Sequence, residues 1–378
     1  MKHIFIKPQN TLAMDTILQK STKGIPTGLF HIMQQSFIER IASVESGRYM
    51  KDPEEVYIRM LNNVGVDIVD QYLADNPLSM GDHGYENAVH GATTGAKEVI
   101  MDGMPVNSPE DVVEHMERYE FPRIESAILC FDEEKHVEDI IKSETDQSLM
   151  YGDNILKTGY GFIGFPRLYY YTYGYVNYFM VFALYPEVMD KHFKLQADLA
   201  FLYNKAAARA YIEGGLPPLY RADHDMADSR GTLVNIKTLD KIWFPHFARC
   251  LEPVLKSEVR VIWHCDGNLM EMVPRLLEVG IKGFQGFQYE DGMDYKKNCR
   301  MKTKDGGNLI IEGGVSVTRT LPFGTPEDVK KEMEFLVENG PETGLFLSTS
   351  SSVAPGVPWE NIKTMIEGLK YYREHGRG

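Results

Sequence analysis

Along this chain, short apolar runs that end in polar or glycine-rich residues hand over to longer stretches in which apolar residues recur at helical spacing. Runs of that kind followed by a 3.6-residue rhythm read as buried strands alternating with amphipathic helices. The clearest case is Val261-Ile262-Trp263-His264-Cys265-Asp266-Gly267-Asn268, an apolar strand that stops in a cluster of titratable groups and a turn. Leu269, Met270, Met272, Val273, Leu276, Leu277 and Val279 then follow at helical spacing. Seven further strands are predicted, at Ile25 to Phe30, Val66 to Leu73, Gly159 to Pro166, Leu219 to Asp225, Gly283 to Gln288, Leu309 to Gly314 and Gly344 to Ser348. Helices are expected from Pro53, from Pro186 to Ile212, from Ile236 to Leu255, from Pro326 to Glu338 and from Pro358 to Tyr372. Proline at a first helical turn marks several of these starts. Two acidic helical pieces are predicted between Ser108 and Ser143.

Eight strands alternating with helices is the count that closes a (β/α)8 barrel, so the expected class is α/β, a TIM barrel. No linker or low-complexity tract divides the 378 residues. The chain is read as one domain over residues 1–378, with an N-terminal extension and an irregular insertion around residues 75–150, including a Gly-, Asp- and His-rich loop up to Gly95.

Composition narrows the function more than the fold. The net charge is -14, and no Lys/Arg-rich run is present, which argues against nucleic acid or an anionic membrane as partner. The opening residues Met1 to Pro8 lack the apolar core of a signal peptide, so a cytoplasmic location is expected. The 4 cysteines, Cys130, Cys250, Cys265 and Cys299, are scattered, with neither a disulfide framework nor a CxxC knuckle.

The ends of the strands carry the candidate chemistry, because a barrel enzyme builds its site at that face. His264 and Asp266 end the fifth strand, and Asp223 and Asp225 end the fourth. These four are the candidate catalytic residues, able to supply a proton or ligate a metal. The plainer alternative is that Asp266 or Asn268 caps the next helix, and that Asp225 pairs with Arg221 or Arg230. Alternation turns His224 to the opposite face, as a structural residue, and Cys265 reads as a small buried hydrophobe. Gln288 is a candidate for hydrogen-bonding substrate. Tyr171 and Tyr173, which share a face if the tract Tyr169 to Tyr175 is extended, are candidate pocket walls, as are Met33 and Gln34 after the first strand. Gly313-Gly314 is expected to form a tight turn or to admit close approach of a ligand.

Several of these segments, in this order, resemble the uroporphyrinogen decarboxylase superfamily: His264-Cys265-Asp266-Gly267-Asn268, Glu278 to Gly283 with Gln288 and Gly292-Met293-Asp294, Gly313-Gly314-Val315-Ser316, Gly324 to Val329, and Pro355 to Ile362. The resemblance implies a (β/α)8 barrel and one of two chemistries. Its decarboxylases carry an arginine-rich motif after the first strand to hold the acidic porphyrinogen. This chain has Leu29 to Ser36 there, with no arginine. Its zinc methyltransferases place His-x-Cys after the fifth strand and a further cysteine after the eighth. The matching positions here are His264, Asp266 and Ser351, with Cys265 one place out. That loses the thiolate site, while His264 and Asp266 remain possible ligands for zinc or a harder ion. What remains resembles the corrinoid-dependent demethylating branch. The resemblance then implies a methyltransferase that moves a methyl group from a small donor to cobalamin on a partner corrinoid protein. The tyrosine tract after the third strand would suit an aromatic donor, which makes a methoxyaromatic ether the expected one, in an O-demethylase reaction. The alternative is a decarboxylase acting on porphyrinogen or a smaller acid, with no cobalamin.

Overall fold

The computed structural model describes residues 10–71 and 99–377. Eight parallel staves close on themselves. Thr27, in the first extended segment, bridges both Val66 and Leu347. The second strand, Ile68–Val69, pairs with the third, Leu156–Lys157, and Gly159 bridges to Tyr220 in the fourth. The fourth to eighth strands, Leu219–Asp223, Arg260–His264, Gly283–Gln285, Ile310–Val315 and Leu345–Thr349, form one continuous parallel sheet. The Thr27 segment joins the two ends of this series, so the ring is shut and the expected barrel is present.

The interior of the barrel is layered by the two-residue repeat of its strands. Ile68, Leu156, Leu219, Ile262, Ile310 and Phe346 form one apolar cluster with Ala13 and Ile17 of the helix Thr11–Ile17, which plugs the end where the strands begin. Asn10 caps that helix through its side chain and also bonds Asp67, so the extension is tied to the barrel. Two residues further along the same strands stand Asp70, Thr158, Arg221, His264, Glu312 and Ser348, all buried and all polar. The barrel therefore changes from dry to polar in one step toward the face where the strands end.

Four expectations change in the structure. The third strand lies at Leu156–Lys157, ahead of the predicted Gly159 to Pro166. Its lysine is disguised as a surface residue in sequence but is buried against Glu144, at 2.7 Å. The apolar stretch that follows leaves the ring at Gly161, where φ is 84°, and packs Phe162 and Phe165 into the outer layer against Tyr220 and Trp263. Gly313 and Gly314 form no turn but lie inside the seventh strand, where a Cβ on Gly314 would collide with the Thr349 backbone. The predicted helix 236–255 is two helices, Ile236–Ile242 and Phe244–Lys256, that meet at Trp243. Between residues 109 and 151 the insertion is regular rather than irregular, with helices Pro109–His115, Phe121–Leu129 and Glu133–Tyr151. The predicted Gly-, Asp- and His-rich loop lies outside the described residues, as do Tyr72 and Leu73. Among the described residues no helix is long and apolar enough to cross a membrane.

Candidate active site

His264 is the last residue of the fifth strand and lies directly opposite Asp223, the last residue of the fourth. Each strand then releases one more acid into the mouth. The ligand atoms of Asp225, His264 and Asp266 all lie within 4.8 Å of one another. Asp225 is exposed, and its Oδ1 accepts the backbone N–H of Asp266 at 3.0 Å, which ties the two strand ends together. His264 Nε2 stands 3.9 Å from Asp266 Oδ1. His264 Nδ1 and Asp266 Oδ1 are buried with no hydrogen-bond partner. Burial raises the Asp266 carboxyl above its usual range and the acids Asp225 and Asp223 add to this, while His264 works the other way. The carboxyl is thus biased toward its protonated form.

Asp223 belongs to a second group. Its Oδ2 accepts from Tyr160 at 3.1 Å and from Arg221 Nη1 at 2.9 Å, while Arg221 Nε donates to Asp70. Arg221 is on the fourth strand and Asp70 directly follows the second, so their bond crosses the barrel interior. Burial pushes Asp223 up, but His264, Arg221 and Tyr160 together hold it below the ordinary carboxylate value. Tyr160 is pushed up to about 12, by burial first and by Asp223 second. Neither alternative ion pair for Asp225 forms, since Arg221 pairs with Asp223 and Arg230 with Asp228.

Glu312 completes the polar layer. It reaches from the seventh strand to the first, where its Oε1 accepts the Leu29 N–H at 2.8 Å, in space that a Cβ on Gly28 would fill. The Arg221 guanidinium bonds two of the carboxylates here, Asp70 and Asp223, and acts on Glu312 only through its charge. Burial, helped by Asp70, raises Glu312 from 4.5 to about 7. A raised folded-state value means the stability due to the bound proton is complete below the unfolded value of 4.5 and is lost as pH climbs through about 7. Glu312→Gln is therefore expected to change unfolding free energy little at pH 5. At pH 8 it should raise it by about 3 kcal/mol, the worth of such a shift. Urea titrations at the two pH values check this, and equal gains at both would refute it.

The remaining predicted residues are placed elsewhere. Gln288 accepts the Gly267 N–H at 2.8 Å through Oε1, so its carbonyl serves the loop. Tyr171 and Tyr173 do not share a face, because Tyr170–Tyr173 is a helical turn rather than an extended tract. Tyr173 is buried on His115 at 2.9 Å, and Tyr171 is 45% exposed. Met33 and Gln34 bond to Val353 and Gly356, beside the exit of the eighth strand, rather than to the His264 group. His224 is structural as expected, accepting the Leu168 N–H at 2.8 Å, with its imidazole pushed down to about 3 by burial. Cys265 is buried in the outer layer and accepts the Met226 N–H, and burial pushes its thiol far up. Asp70, Tyr160, Gln285 and Glu312 are not among the residues the sequence singles out, and Arg221 is visible there only as a possible partner of Asp225. The signal available was the spacing of two, since 221, 264 and 312 each follow an apolar inward position by two residues.

A closed barrel with a histidine and acids gathered where its strands end has the architecture of a barrel enzyme. The profile of the family described as uroporphyrinogen decarboxylase (URO-D) matches residues 161–372, and the chain belongs to that family. Two curated relatives are each called methylcobamide:CoM methyltransferase MtbA, from Methanosarcina acetivorans and Methanosarcina mazei. They are 23% and 22% identical over 176 residues, 47% of this chain and 48% of theirs. The chain thus spans about half the length of the curated relatives it matches. A solved structure, a methyltransferase from Methanosarcina mazei, superposes with a TM-score of 0.55 at 15% identity, over 97% of this chain and 99% of that one. That likeness supports the fold.

Proposed function

We propose that this protein is a methyltransferase that takes a methyl group from a small methoxyaromatic donor and passes it to the cobalt of a corrinoid held by a separate protein. The observation that carries the reading is the Asp225, His264 and Asp266 group at the mouth, with its two buried unpartnered atoms. Family membership and the names of the relatives support the class of reaction. The donor set supports an oxygen leaving group over a thiol acceptor, because it contains nitrogen and oxygen atoms only and Cys265 is turned away from it.

In the proposed transfer the C–O bond of the ether breaks, the methyl carbon takes an electron pair from cobalt(I), and the departing oxygen keeps the bond pair and gains a proton. An unassisted phenolate or alkoxide leaves poorly. Asp266, biased toward protonation, is the group that holds that proton, and Asp225 fixes its backbone. The same three residues fit a divalent cation of the harder kind, by donor type and by the unpartnered Asp266 oxygen. When bound, such an ion would supply Lewis-acid polarisation of the ether oxygen. Asp223, held by Arg221 and Tyr160 below the ordinary carboxylate value, keeps negative charge beside His264.

The test is to mix the protein with a cobalt(I) corrinoid protein and a panel of methoxyaromatics and to follow the cobalt(I) absorbance. Its decay with release of the matching phenol is expected. Carbon dioxide released from aromatic acids, with no corrinoid and no methyl transfer from any ether, would overturn the reading in favour of a decarboxylase.

A further inference from the structure

Four adjacent strands set one row of inward side chains just below the mouth. Asp223 lies opposite His264, His264 opposite Gln285, and Gln285 opposite Glu312. Three of the four have work within the protein. Asp223 holds Arg221 and Tyr160, Glu312 takes the Leu29 N–H, and His264 belongs to the Asp225 and Asp266 group. Gln285 belongs to no such group, and its Oε1, like His264 Nδ1, is buried with no hydrogen-bond partner. A buried amide carbonyl left unpaired is costly, and folded proteins keep few of them. The glutamine three residues later, Gln288, has already spent its carbonyl on Gly267.

We propose that Gln285 recognises the methyl donor by hydrogen-bonding a hydroxyl group carried next to the reacting methoxy group, an inference that rests on the methyltransferase reading. A carboxamide presents an acceptor and two donors at one planar end. A hydroxyl can meet either, whereas an ether oxygen or a carboxylate only accepts. Neighbouring parallel strands lie about 4.8 Å apart, so groups met by Gln285 and by His264 sit on adjacent atoms of one small molecule. Charge points the same way. Asp223, held below the ordinary carboxylate value, stands in the same row, and Arg221, the cation that could meet an anion there, is already committed to Asp70 and Asp223. A neutral hydroxyl suits that setting, and a carboxylated ring would be repelled. The substrate class is therefore an uncharged aromatic with vicinal hydroxyl and methoxy groups.

The experiment is calorimetric titration of the full chain, without corrinoid, using 2-methoxyphenol and 1,2-dimethoxybenzene as probes. Wild type is expected to bind 2-methoxyphenol about ten- to a hundredfold more tightly, since a site built for a hydroxyl discriminates against its absence. In Gln285→Leu the ratio should fall to within about threefold, chiefly through weaker binding of the phenol. Should the leucine variant not fold, Gln285→Ala serves in its place. No preference in wild type, binding of neither probe, or an unchanged preference in the variant would each overturn the proposal. A Gln285-dependent preference in a protein that transfers no methyl group from any ether would leave the hydroxyl subsite standing and remove the methyltransferase reading. Methyl transfer with no hydroxyl preference would do the reverse.

Discussion

Alanine at His264 or at Asp266 is expected to lower methyl transfer by about a thousandfold or more, the scale of losing a group that acts on the departing oxygen. The thermal midpoint should fall by no more than about 1–3 °C, as loss of about 1–2 kcal/mol implies for a chain of this length. The reason for so unequal an effect lies in what the two side chains touch. Asp266 has an unpartnered Oδ1, and its side chain is 39% exposed in the mouth, so it packs little. His264 is buried, but its Nδ1 also lacks a partner, so the folded chain loses van der Waals contact and no hydrogen bond to that atom. Equilibrium dialysis against zinc and manganese separates the two roles open to the pair. Stoichiometric uptake by wild type that disappears in both variants assigns them to an ion, and no uptake by wild type leaves the proton-holding role. Near wild-type rates in either variant would return that residue to capping or packing.

Removing the Arg221 guanidinium is expected to be the most destabilising single change in the barrel. Arg221→Met should cost about 3–5 kcal/mol, because it strands carboxylates that are already out of water. Burial opposes the charge on Arg221, yet Asp70 and Asp223 outweigh it and hold the guanidinium well above its usual value. With the arginine gone, Asp70, Asp223 and Glu312 would face one another across the interior without the guanidinium that now bonds Asp70 and Asp223. The double variant Arg221→Met with Glu312→Gln should therefore lose less than the single variants sum to, with a coupling of about 1–2 kcal/mol at pH 8. Urea unfolding of the four proteins measures this. A loss under about 1 kcal/mol for Arg221→Met would mean that water reaches the layer and that the three acids are screened.

Both predictions concern residues whose importance is only partly visible in the order of amino acids. His264 and Asp266 stood out because a strand and a helix meet there and because the stretch carries the family resemblance. Arg221 was visible only as a possible partner for Asp225. Its true partners are Asp70, 151 positions away in the chain, and Asp223. Gln288 and Gln285 show the same limit more sharply. Both are glutamines near the end of the sixth strand, and only the hydrogen bond to Gly267 shows that Gln288 is spent. The tyrosine tract misled for a different reason. Two-residue alternation does not hold where the chain turns into a helix, and one turn of helix moves Tyr171 outward and Tyr173 inward.

The order of apolar and polar residues, by itself, determined that this chain is an eight-stranded α/β barrel and that its fifth strand ends in chemistry. Both are local properties, since strand, helix and their junction are written in neighbours a few residues apart. Only the tertiary structure decided which charged groups share the barrel interior, which strand supplies the third stave and which glutamine remains unpaired. Those facts depend on side chains that meet across the ring from distant parts of the chain, where register and closure set the contacts and no local pattern records them.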